Sequence, residues 1–511
     1  MPRREPGLHA YTINAMNAGA VTDSATATRF VGNVIDGEER EAQGGETFEK
    51  RSPATGEVIS TVARSDRADV DAAVAAARAA QPEWAGRTVV ERGAILRRIA
   101  QLMERDADGL TEIVAAEGGK SQGHAKGEVG AATELGYFMA GEGRRYYGRT
   151  TTSAIPNRQA MTIRQPLGVA GLIVAANTPI ANVAWKTFPA LLCGNGVVLK
   201  ASENTPETPL AFSRLAKEAG VPPGALNVVQ GYGDEAGQPI VEHPDVDVVS
   251  FMGSAAVGRM VARVAGERMA KVSLELGGKN PLIVCDDADL EGAVEAAALS
   301  AFSNAGQRCA AGSRLIVFES VYDRFRELLL ERTAAQRVGV GDDDDLGPVI
   351  NERQLENMLA AVQRAREAGA DISAGGERLT GEGYDGGCYM APTLIENAPL
   401  DSDVVCSELF GPIATLHRVS GFDEAIDAAN ATDYGLTAAI WTNSIHRTQE
   451  FLARVRSGVG SVNGPTYGSE PHMPFGGLGQ SGNGWREPGT EALDVYSDLK
   501  TVYVRHDPDL A

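Results

Sequence analysis

One cysteine and one glutamate carry the clearest chemistry in this sequence. Cys309 ends the run 303–309, and Glu275 lies upstream in the segment 274–279. A thiolate is a strong nucleophile and a carboxylate can deprotonate water, so the pair suffices to form and hydrolyse an acyl-enzyme. Free cysteine is also among the most buried residue types, so Cys309 alone indicates only a core thiol. The other segments decide between these interpretations.

A glycine-bearing turn follows the apolar run 246–251. It contains Gly253, Ser254 and Gly258. Glycine allows the backbone to approach a ligand, and the N-terminus of a following helix attracts phosphate. The spacing differs from GxGxxG, so turn chemistry alone explains it equally well. The segment is a candidate cofactor site.

A cation and a carboxylate follow the apolar run 197–199. They are Lys200 and Glu203, and both can reach a nucleotide at the carboxyl edge of a parallel sheet. Glu203 can accept hydrogen bonds from ribose hydroxyls and would repel a 2′-phosphate, which favours NAD over NADP. A solvated strand end is the simpler interpretation of the same residues.

Two further turns present polar or aromatic side chains. Asn177 precedes Pro179, and its amide can donate to a developing oxyanion. Glu408 and Phe410 stand before the break at 411–412. Local turn chemistry accounts for both segments when each is taken alone.

The composition excludes several classes of function. The net charge of −21 disfavours binding to nucleic acid or to anionic membranes. No apolar stretch is long enough for a membrane span or a secretory signal, and five sparse cysteines fit a reducing compartment, so we expect a cytoplasmic protein. Seven scattered histidines show no zinc spacing, so we predict no catalytic metal.

Short apolar runs alternate with helical patterns from residue 167 onward, which is typical of buried parallel strands. The runs are 171–175, 197–199, 226–229, 246–251, 281–285, 314–318, 413–416 and 438–441. With 511 residues, the chain is long enough for two large domains. We therefore predict two α/β units in tandem, joined near 277–278.

The remaining segments carry weaker signals. Residues 1–28 show no period and are predicted to be a mobile tail. Val70, Val74 and Ala77 predict a helix that stops at Pro82. The acidic run 342–345 is predicted to be an exposed loop.

The ordered segments together resemble the aldehyde dehydrogenase superfamily. They are Glu117–Lys120, Asn177, Trp185–Lys186, Lys200–Glu203, Gly253–Gly258, Glu275–Lys279, Gly306–Cys309, Glu408–Pro412, Pro474–Gly477 and Ser481–Gly484. The chain departs from the family pattern at 175–176, where Pro-Trp is frequent, and at Ser407, where a second Glu is frequent. These changes spare the reactive groups and affect cofactor contacts.

The resemblance implies an α/β fold of two Rossmann-like domains with a small oligomerisation hairpin. The NAD-binding domain would comprise 29–145 and 167–276, and the catalytic domain 277–480. The oligomerisation element would comprise 146–166 and 490–511. A homodimer or homotetramer acting on a small aldehyde, with NAD or NADP as cofactor, is what the resemblance implies.

The resemblance also assigns roles to individual residues. Cys309 would attack the aldehyde, Asn177 and the Cys309 N–H would hold the oxyanion, Glu275 would activate the hydrolytic water, and Lys186 would assist proton movement. The cofactor contacts would be Lys200 and Glu203 at the ribose, Gly253, Ser254 and Gly258 at the pyrophosphate, and Glu408 and Phe410 at the nicotinamide. The substrate pocket would contain Trp185, Arg308, Tyr467 and Phe475.

Several alternatives remain open. CoA could replace water in resolving the thioester, although Glu275 would then lack a task. A cofactor-free thiol hydrolase would leave Lys200, Glu203 and Glu408 unused, and a catalytically silent homologue would leave Cys309 unused.

The substrate is the least determined property. Tyr467 and Phe475 favour an aromatic aldehyde, because their rings can form a pocket wall. Arg308 favours a semialdehyde, because a guanidinium can pair with a distal carboxylate.

Overall fold

Two seven-stranded sheets carry the architecture, and the computed structural model describes residues 29–510. The strands are β1 (Arg29–Val31), β2 (Asn33–Ile35), β3 (Glu38–Arg40), β4 (Thr47–Arg51), β5 (Val58–Ala63), β6 (Thr150–Thr151), β7 (Arg158–Pro166), β8 (Val169–Ile173), β9 (Gly196–Lys200), β10 (Leu226–Val229), β11 (Val248–Gly253), β12 (Lys271–Leu276), β13 (Asn280–Val284), β14 (Gly312–Phe318), β15 (Asp371–Ala374), β16 (Thr393–Glu396), β17 (Ile413–Val419), β18 (Tyr434–Gly435), β19 (Thr437–Trp441), β20 (Val459–Val462), β21 (Leu478–Gly479) and β22 (Ser497–Arg505). The predicted tail, 1–28, lies outside the described residues.

Fifteen helices are present in residues 29–510, and most of them cover the faces of the sheets. The helices are α1 (Arg67–Gly86), α2 (Val89–Arg105), α3 (Ala107–Gly118), α4 (Gln122–Glu142), α5 (Pro179–Leu192), α6 (Glu207–Ala219), α7 (Gln238–Glu242), α8 (Ala255–Glu267), α9 (Leu290–Phe302), α10 (Glu319–Ala334), α11 (Glu352–Glu367), α12 (Asp403–Cys406), α13 (Phe422–Ala429), α14 (Ile445–Arg454) and α15 (Ala492–Tyr496). No helix in the described part of the chain is long and apolar enough to cross a membrane.

The first sheet has the strand order β12-β11-β8-β9-β10-β2-β3. Its first five strands run parallel, and the hairpin β2–β3 adds an antiparallel edge. Side chains alternate between two cores along each strand: Val197 and Leu199 face one core, and Val198 faces the other. Burial on both faces explains why these strands are continuous apolar runs.

The second sheet has the order β15-β16-β17-β14-β13-β19-β20, and only β15 runs antiparallel to its neighbour. Leu282 and Val284 face one core and Ile283 faces the other. The chain passes from the first sheet to the second between Leu276 and Asn280. The predicted α/β architecture of two tandem units is therefore confirmed. The assignment of a function to each unit stays a prediction.

A small antiparallel sheet joins the middle of the chain to its end. Its order is β22-β7-β6, and β22 pairs with β7 over nine residues, from Ser497 with Pro166 to Arg505 with Arg158. This sheet uses the segments in which the oligomerisation hairpin was predicted.

The predicted end of the first helix was wrong. Helix α1 continues through Pro82 to Gly86. Trp84, in the last turn, is fully buried, and its indole N–H donates to the carbonyl oxygen of Leu191 at 2.9 Å. Burial of this large ring stabilises the turn beyond the proline, so tertiary packing outweighs the local preference.

Candidate active site between the two sheets

Cys309 lies on the loop between α9 and β14, after a tight 3-10 turn at Ser303–Gly306. Asn304, Ala305 and Gly306 all have positive φ, between 53° and 66°. A Cβ at Gly306 would overlap the carbonyl oxygen of Gly411, so only glycine fits there. Three successive left-handed residues are costly, and the packing that enforces them fixes the path of the chain into Cys309.

The main chain around Cys309 is held from the second sheet. The Asn280 amide donates to the carbonyl oxygens of Cys309 at 2.8 Å and Ala311 at 2.9 Å. Its oxygen accepts from the N–H of Thr437 at 3.0 Å. Asn280 therefore ties the cysteine loop to β13 and β19, a positioning role that sequence reasoning missed.

The Cys309 thiol is half-buried and lines two cavities at once. Burial, together with the nearby carboxyl groups of Glu408 and Glu275, raises the pKa of Cys309 to about 12, and the N–H of Ala310 and the Arg308 guanidinium oppose this shift. The resting group is consequently a neutral thiol. Its reaction as a nucleophile requires that a base remove the proton as substrate arrives.

Glu275 ends β12 and lines the same cavity as Cys309. Its side chain is buried, and neither carboxyl oxygen has a hydrogen-bond partner within residues 29–510. Burial, followed by the neighbouring charge of Glu487, raises the pKa of Glu275 well above its usual value, and Lys186 and Arg486 oppose the shift. A buried carboxyl group with free lone pairs and a raised pKa is suited to accept a proton from water.

Asn177 lines both cavities, between β8 and α5. The main-chain carbonyl oxygen of Asn177 accepts from the Lys120 ammonium at 2.6 Å and from the Asn304 side-chain amide at 3.1 Å. Lys120 forms a buried ion pair with Glu128 at 2.5 Å, and Glu128 also accepts from the N–H of Ile180 at 3.1 Å. Helix α4 and the Lys120 segment before it thus hold the turn that contains Asn177. The only sequence signal for this contact was the segment that contains Lys120.

Lys186 lies behind the cavity and not in its wall. Its fully buried ammonium donates to the hydroxyl of Ser250 at 2.6 Å and stands 3.5 Å from Glu487. Glu487 also accepts from Ser250, Ser273 and Tyr496 at 2.7–2.9 Å. The carboxylate that affects the pKa of Glu275 is therefore held in place by a buried polar network.

The first cavity, of about 320 Å³, is formed by strand ends and the loop before β17. Its wall contains Gly253, Ser254, Glu275, Glu408 and Phe410, together with Cys309. Ser254 is the N-cap of α8, whose first turn directs unpaired N–H groups outward. The wall thus combines a helix N-terminus, which attracts phosphate, with an aromatic ring and the Cys309 thiol, so the residues fit a dinucleotide. We call this space the cofactor-side cavity.

Glu408 stands at the centre of that cavity wall. Its carboxyl group accepts from the N–H of Gly278 at 3.1 Å, and a Cβ at Gly277 would overlap it. Burial raises the pKa of Glu408 to about 7, and the Gly278 N–H and Lys279 oppose the shift. Gly277 therefore makes space for this carboxyl group, and Gly278 donates to it.

Three predicted cofactor residues lie elsewhere. Gly258 packs against Leu276, where a Cβ would clash, so it brings α8 close to β12. Lys200 pairs with Glu203 at 3.2 Å. Glu203 lines a separate surface cavity of about 530 Å³, which Tyr232 also lines.

The second cavity, of about 560 Å³, lies on the other side of Cys309. All four predicted pocket residues line it: Trp185, Arg308, Tyr467 and Phe475. The rings of Trp185 and Phe475 meet edge to face with centroids 5.4 Å apart. We call this space the substrate-side cavity.

Basic groups from two elements reach the substrate-side cavity. The Arg308 guanidinium stacks over the ring of Tyr467 at 4.7 Å and donates from Nε to Ser303 at 3.2 Å. Lys120, two residues before the start of α4, and His124, in the first turn of α4, also line this cavity. Burial lowers the pKa of His124, as do the charges of Arg308 and Lys120, so the ring is neutral near pH 7. Sequence reasoning missed His124, because nothing local relates α4 to Cys309.

The fold and this arrangement define the class: an α/β enzyme with a candidate cysteine nucleophile between two cavities. Comparison with known proteins gives the family, because the model described as "Aldehyde dehydrogenase family" matches residues 40–502. The chain belongs to this family, and the prediction of an enzyme that oxidises aldehydes is confirmed. No cluster of three or more metal-ligating side chains occurs within residues 29–510.

Individual relatives cover nearly the whole chain. Alpha-ketoglutaric semialdehyde dehydrogenase of Bacillus subtilis is 38% identical over 476 residues, which are 93% of this chain and 98% of that protein. Alpha-ketoglutarate semialdehyde dehydrogenase of Haloferax volcanii is 40% identical over 473 residues, or 92% and 98%. The crystal structure of betaine aldehyde dehydrogenase from Staphylococcus aureus in complex with NAD+ is 33% identical, with a TM-score of 0.91 and coverage of 93% and 95%.

Proposed function

We propose that this enzyme oxidises semialdehydes, in which a carboxylate stands at the far end of the molecule from the aldehyde, to dicarboxylic acids. The observation that carries the proposal is Arg308. Its guanidinium lines the substrate-side cavity next to Cys309, and no carboxylate of residues 29–510 pairs with it. A guanidinium with free N–H groups binds a carboxylate through charge-assisted hydrogen bonds.

The surroundings of Arg308 support the same substrate class. The ring of Tyr467 holds the guanidinium plane at the cavity wall. Two relatives with about 40% identity are semialdehyde dehydrogenases by name. A cavity of about 560 Å³ also accommodates a short dicarboxylic chain with room to spare.

The residues of the site perform the following steps in this proposal. Cys309 loses its proton and attacks the aldehyde carbon, and the Asn177 amide stabilises the resulting oxyanion. Glu408 and Phe410 would hold the nicotinamide end of NAD in the cofactor-side cavity, and a bound NAD would supply the hydride acceptor for this oxidation. Glu275 then removes a proton from the water that attacks the thioester on Cys309, and the carboxylic acid leaves.

We propose NAD as the preferred cofactor. Glu203 follows the β9 strand, which belongs to the parallel part of the first sheet, and its carboxylate is half-exposed and paired with Lys200. A carboxylate at this edge accepts from ribose hydroxyls and repels a 2′-phosphate.

A second candidate substrate class is aromatic aldehydes. Trp185, Phe475 and Tyr467 provide apolar ring surface within the substrate-side cavity, and such surface binds a flat ring well. In this case Arg308 would stack with Tyr467 without contacting the substrate.

We also propose a cytoplasmic homo-oligomer. The five cysteines are free thiols, which a reducing compartment favours. Strand β22 is the edge of the small sheet, and Leu499, Tyr503 and Val504 on it are about half exposed. Such an edge is suited to pair with a second copy of the chain. Light scattering during gel filtration gives the mass in solution; a monomer would contradict the oligomer.

A steady-state comparison tests the proposed substrate. Purified enzyme is mixed with NAD and either succinic semialdehyde or benzaldehyde, and reduced nicotinamide is followed by absorbance. We expect the larger kcat/KM with succinic semialdehyde, and a larger value for benzaldehyde would favour the second class. Added CoA should not change the rate, because Glu275 directs hydrolysis; stimulation by CoA would indicate the acylating alternative.

A further inference from the structure

We propose that Asn182 is a positioning residue that determines which end of the Asn177 amide faces Cys309. The inference rests on the proposed role of Asn177 as oxyanion donor. Asn182 lies in the first turns of α5, and its side chain is almost fully buried. It lines the cofactor-side cavity beside Asn177 and Thr178.

The need for such a residue follows from the chemistry of an amide. The oxygen and the nitrogen of an asparagine side chain are nearly equal in size, and half a turn about the terminal bond exchanges them. Only the NH₂ group stabilises an oxyanion, whereas the oxygen would repel it. A productive site therefore requires a contact that distinguishes the two orientations.

A backbone carbonyl provides that distinction. The carbonyl oxygen of Ala175 can only accept, so the atom of Asn182 that stands 2.9 Å from it must be Nδ2. The same Nδ2 lies 3.1 Å from the side chain of Asn177, and it has a second hydrogen to donate. The Asn177 atom that faces it must therefore be Oδ1.

The remaining contacts make the arrangement self-consistent. Oδ1 of Asn182 accepts from the hydroxyl of Thr178 at 3.0 Å, so both ends of the Asn182 amide have partners of the matching kind. The main chain of Asn177 is held separately, through its carbonyl oxygen, by Lys120 and Asn304. With Oδ1 of Asn177 engaged, its Nδ2 is the atom left to face the cavities that Cys309 lines.

A double-mutant cycle tests the inference. The wild type, Asn177→Ala, Asn182→Asp and the double variant are compared as full-length enzymes with NAD and whichever of succinic semialdehyde or benzaldehyde the wild type oxidises faster. Loss of an oxyanion donor lowers kcat by about 10²- to 10³-fold. An aspartate at 182 has only acceptors when ionised, so it draws Nδ2 of Asn177 away from Cys309, and we expect a loss of similar size.

The effects of the two substitutions on kcat should not be additive. Because Asn182 acts through Asn177, Asn182→Asp should change kcat by less than about threefold once Asn177 is alanine. The kcat and kcat/KM of each single variant should fall together, since the oxyanion forms only after substrate has bound. Equal losses in both backgrounds would overturn the positioning role while leaving the oxyanion role of Asn177 intact. Full activity of Asn177→Ala would overturn both.

A second variant and two controls separate positioning from packing. Asn182→Leu removes the three hydrogen bonds without adding a charge, so it covers the case in which the buried aspartate prevents folding. It should give a smaller loss that also disappears beside Asn177→Ala. Thr187→Val, on the same helix, removes a buried hydroxyl that has no partner in the described chain, and it should leave kcat unchanged.

Alkylation of Cys309 by iodoacetamide provides the second control. Its rate should stay within about twofold in Asn182→Leu, because that reaction forms no oxyanion. A larger change would indicate disturbed packing and contradict the inference.

Discussion

The two cavities that meet at Cys309 are formed by different elements of the fold and carry different charged groups. The cofactor-side cavity is formed largely by strand ends and carries two carboxyl groups, Glu275 and Glu408, whose pKa values are raised. The substrate-side cavity takes its wall from α4 and from the loop around Tyr467, and it carries the cation of Arg308. One side therefore carries carboxyl groups with raised pKa values, and the other carries a guanidinium that pairs with no carboxylate in the described part of the chain.

This difference separates reaction chemistry from substrate choice. Carboxyl groups with raised pKa values can exchange protons with water, and the oxidation of any aldehyde to an acid requires such proton transfer. A fixed guanidinium exchanges no proton near pH 7 but attracts a particular substrate. Substitutions on the two sides should consequently change different kinetic parameters.

Removal of the Cys309 thiol, which both cavities share, should abolish turnover. Cys309→Ala leaves no nucleophile, so we expect turnover to fall by several orders of magnitude with every aldehyde, as measured by NAD reduction. Cys406→Ala is the matched control, because Cys406 is a half-buried thiol whose Sγ contacts the carbonyl oxygen of Leu400 at 3.0 Å. Appreciable turnover by the Cys309 variant would assign the chemistry to another residue.

A change on the cofactor side should affect all aldehydes alike. Glu275→Gln removes the base, so kcat should fall by about 10²- to 10⁴-fold for any substrate while a rapid burst of reduced cofactor survives. Wild-type kcat should rise with pH, because the pKa of Glu275 is raised and only its ionised form accepts a proton. Stopped-flow absorbance measures the burst, and steady-state rates measure the profile. If the variant kept the pH dependence, another group would be the base.

A change on the substrate side should discriminate between aldehydes. Arg308→Met removes a charge-assisted contact of about 1.5 to 3 kcal/mol, so kcat/KM for succinic semialdehyde should fall by about tenfold to 100-fold. The value for benzaldehyde, which has no carboxylate, should stay within about twofold. Equal losses for both substrates would mean that Arg308 supports the Cys309 loop and not the substrate.

The smallest effect concerns the choice of cofactor. Glu203→Gln removes one negative charge, and repulsion between unit charges 4 Å apart in water is about 1 kcal/mol, so the ratio of kcat/KM for NADP to that for NAD should rise about fivefold. The variant keeps the size of the side chain and can still accept from a ribose. An unchanged ratio would place the 2′-position of the ribose away from Glu203.

The sequence reached both cavities, but it missed the part of the substrate-side wall that comes from α4. Gly253 ends β11, which was recognisable as the apolar run 246–251, and parallel strands bring their carboxyl ends to one edge. Glu275 lies near the end of the neighbouring strand β12, which was not among the predicted runs. His124 and the partner of Lys120, Glu128, lie on α4, far from Cys309 in sequence. No local pattern encodes a contact of that range.

Prediction of the fold from the sequence has the same limit. The eight predicted apolar runs all became strands, because burial on both faces is a property of the run itself. The antiparallel edge β2–β3 was not predicted, since an edge strand is short and only partly apolar. Helix α1 passed Pro82 because Trp84 finds a partner in Leu191, more than a hundred positions away.

The buried network around Glu487 has a consequence for biosynthesis. Glu487 and Tyr496 belong to the last part of the chain, yet they contact Ser250 and Lys186 beside the base, Glu275. During translation both sheets can form while these residues are still unsynthesised. The electrostatic environment of Glu275, the proposed base, is then incomplete until Glu487 and Tyr496 have been added and have made these contacts. A nascent chain should therefore acquire its fold before it acquires its activity.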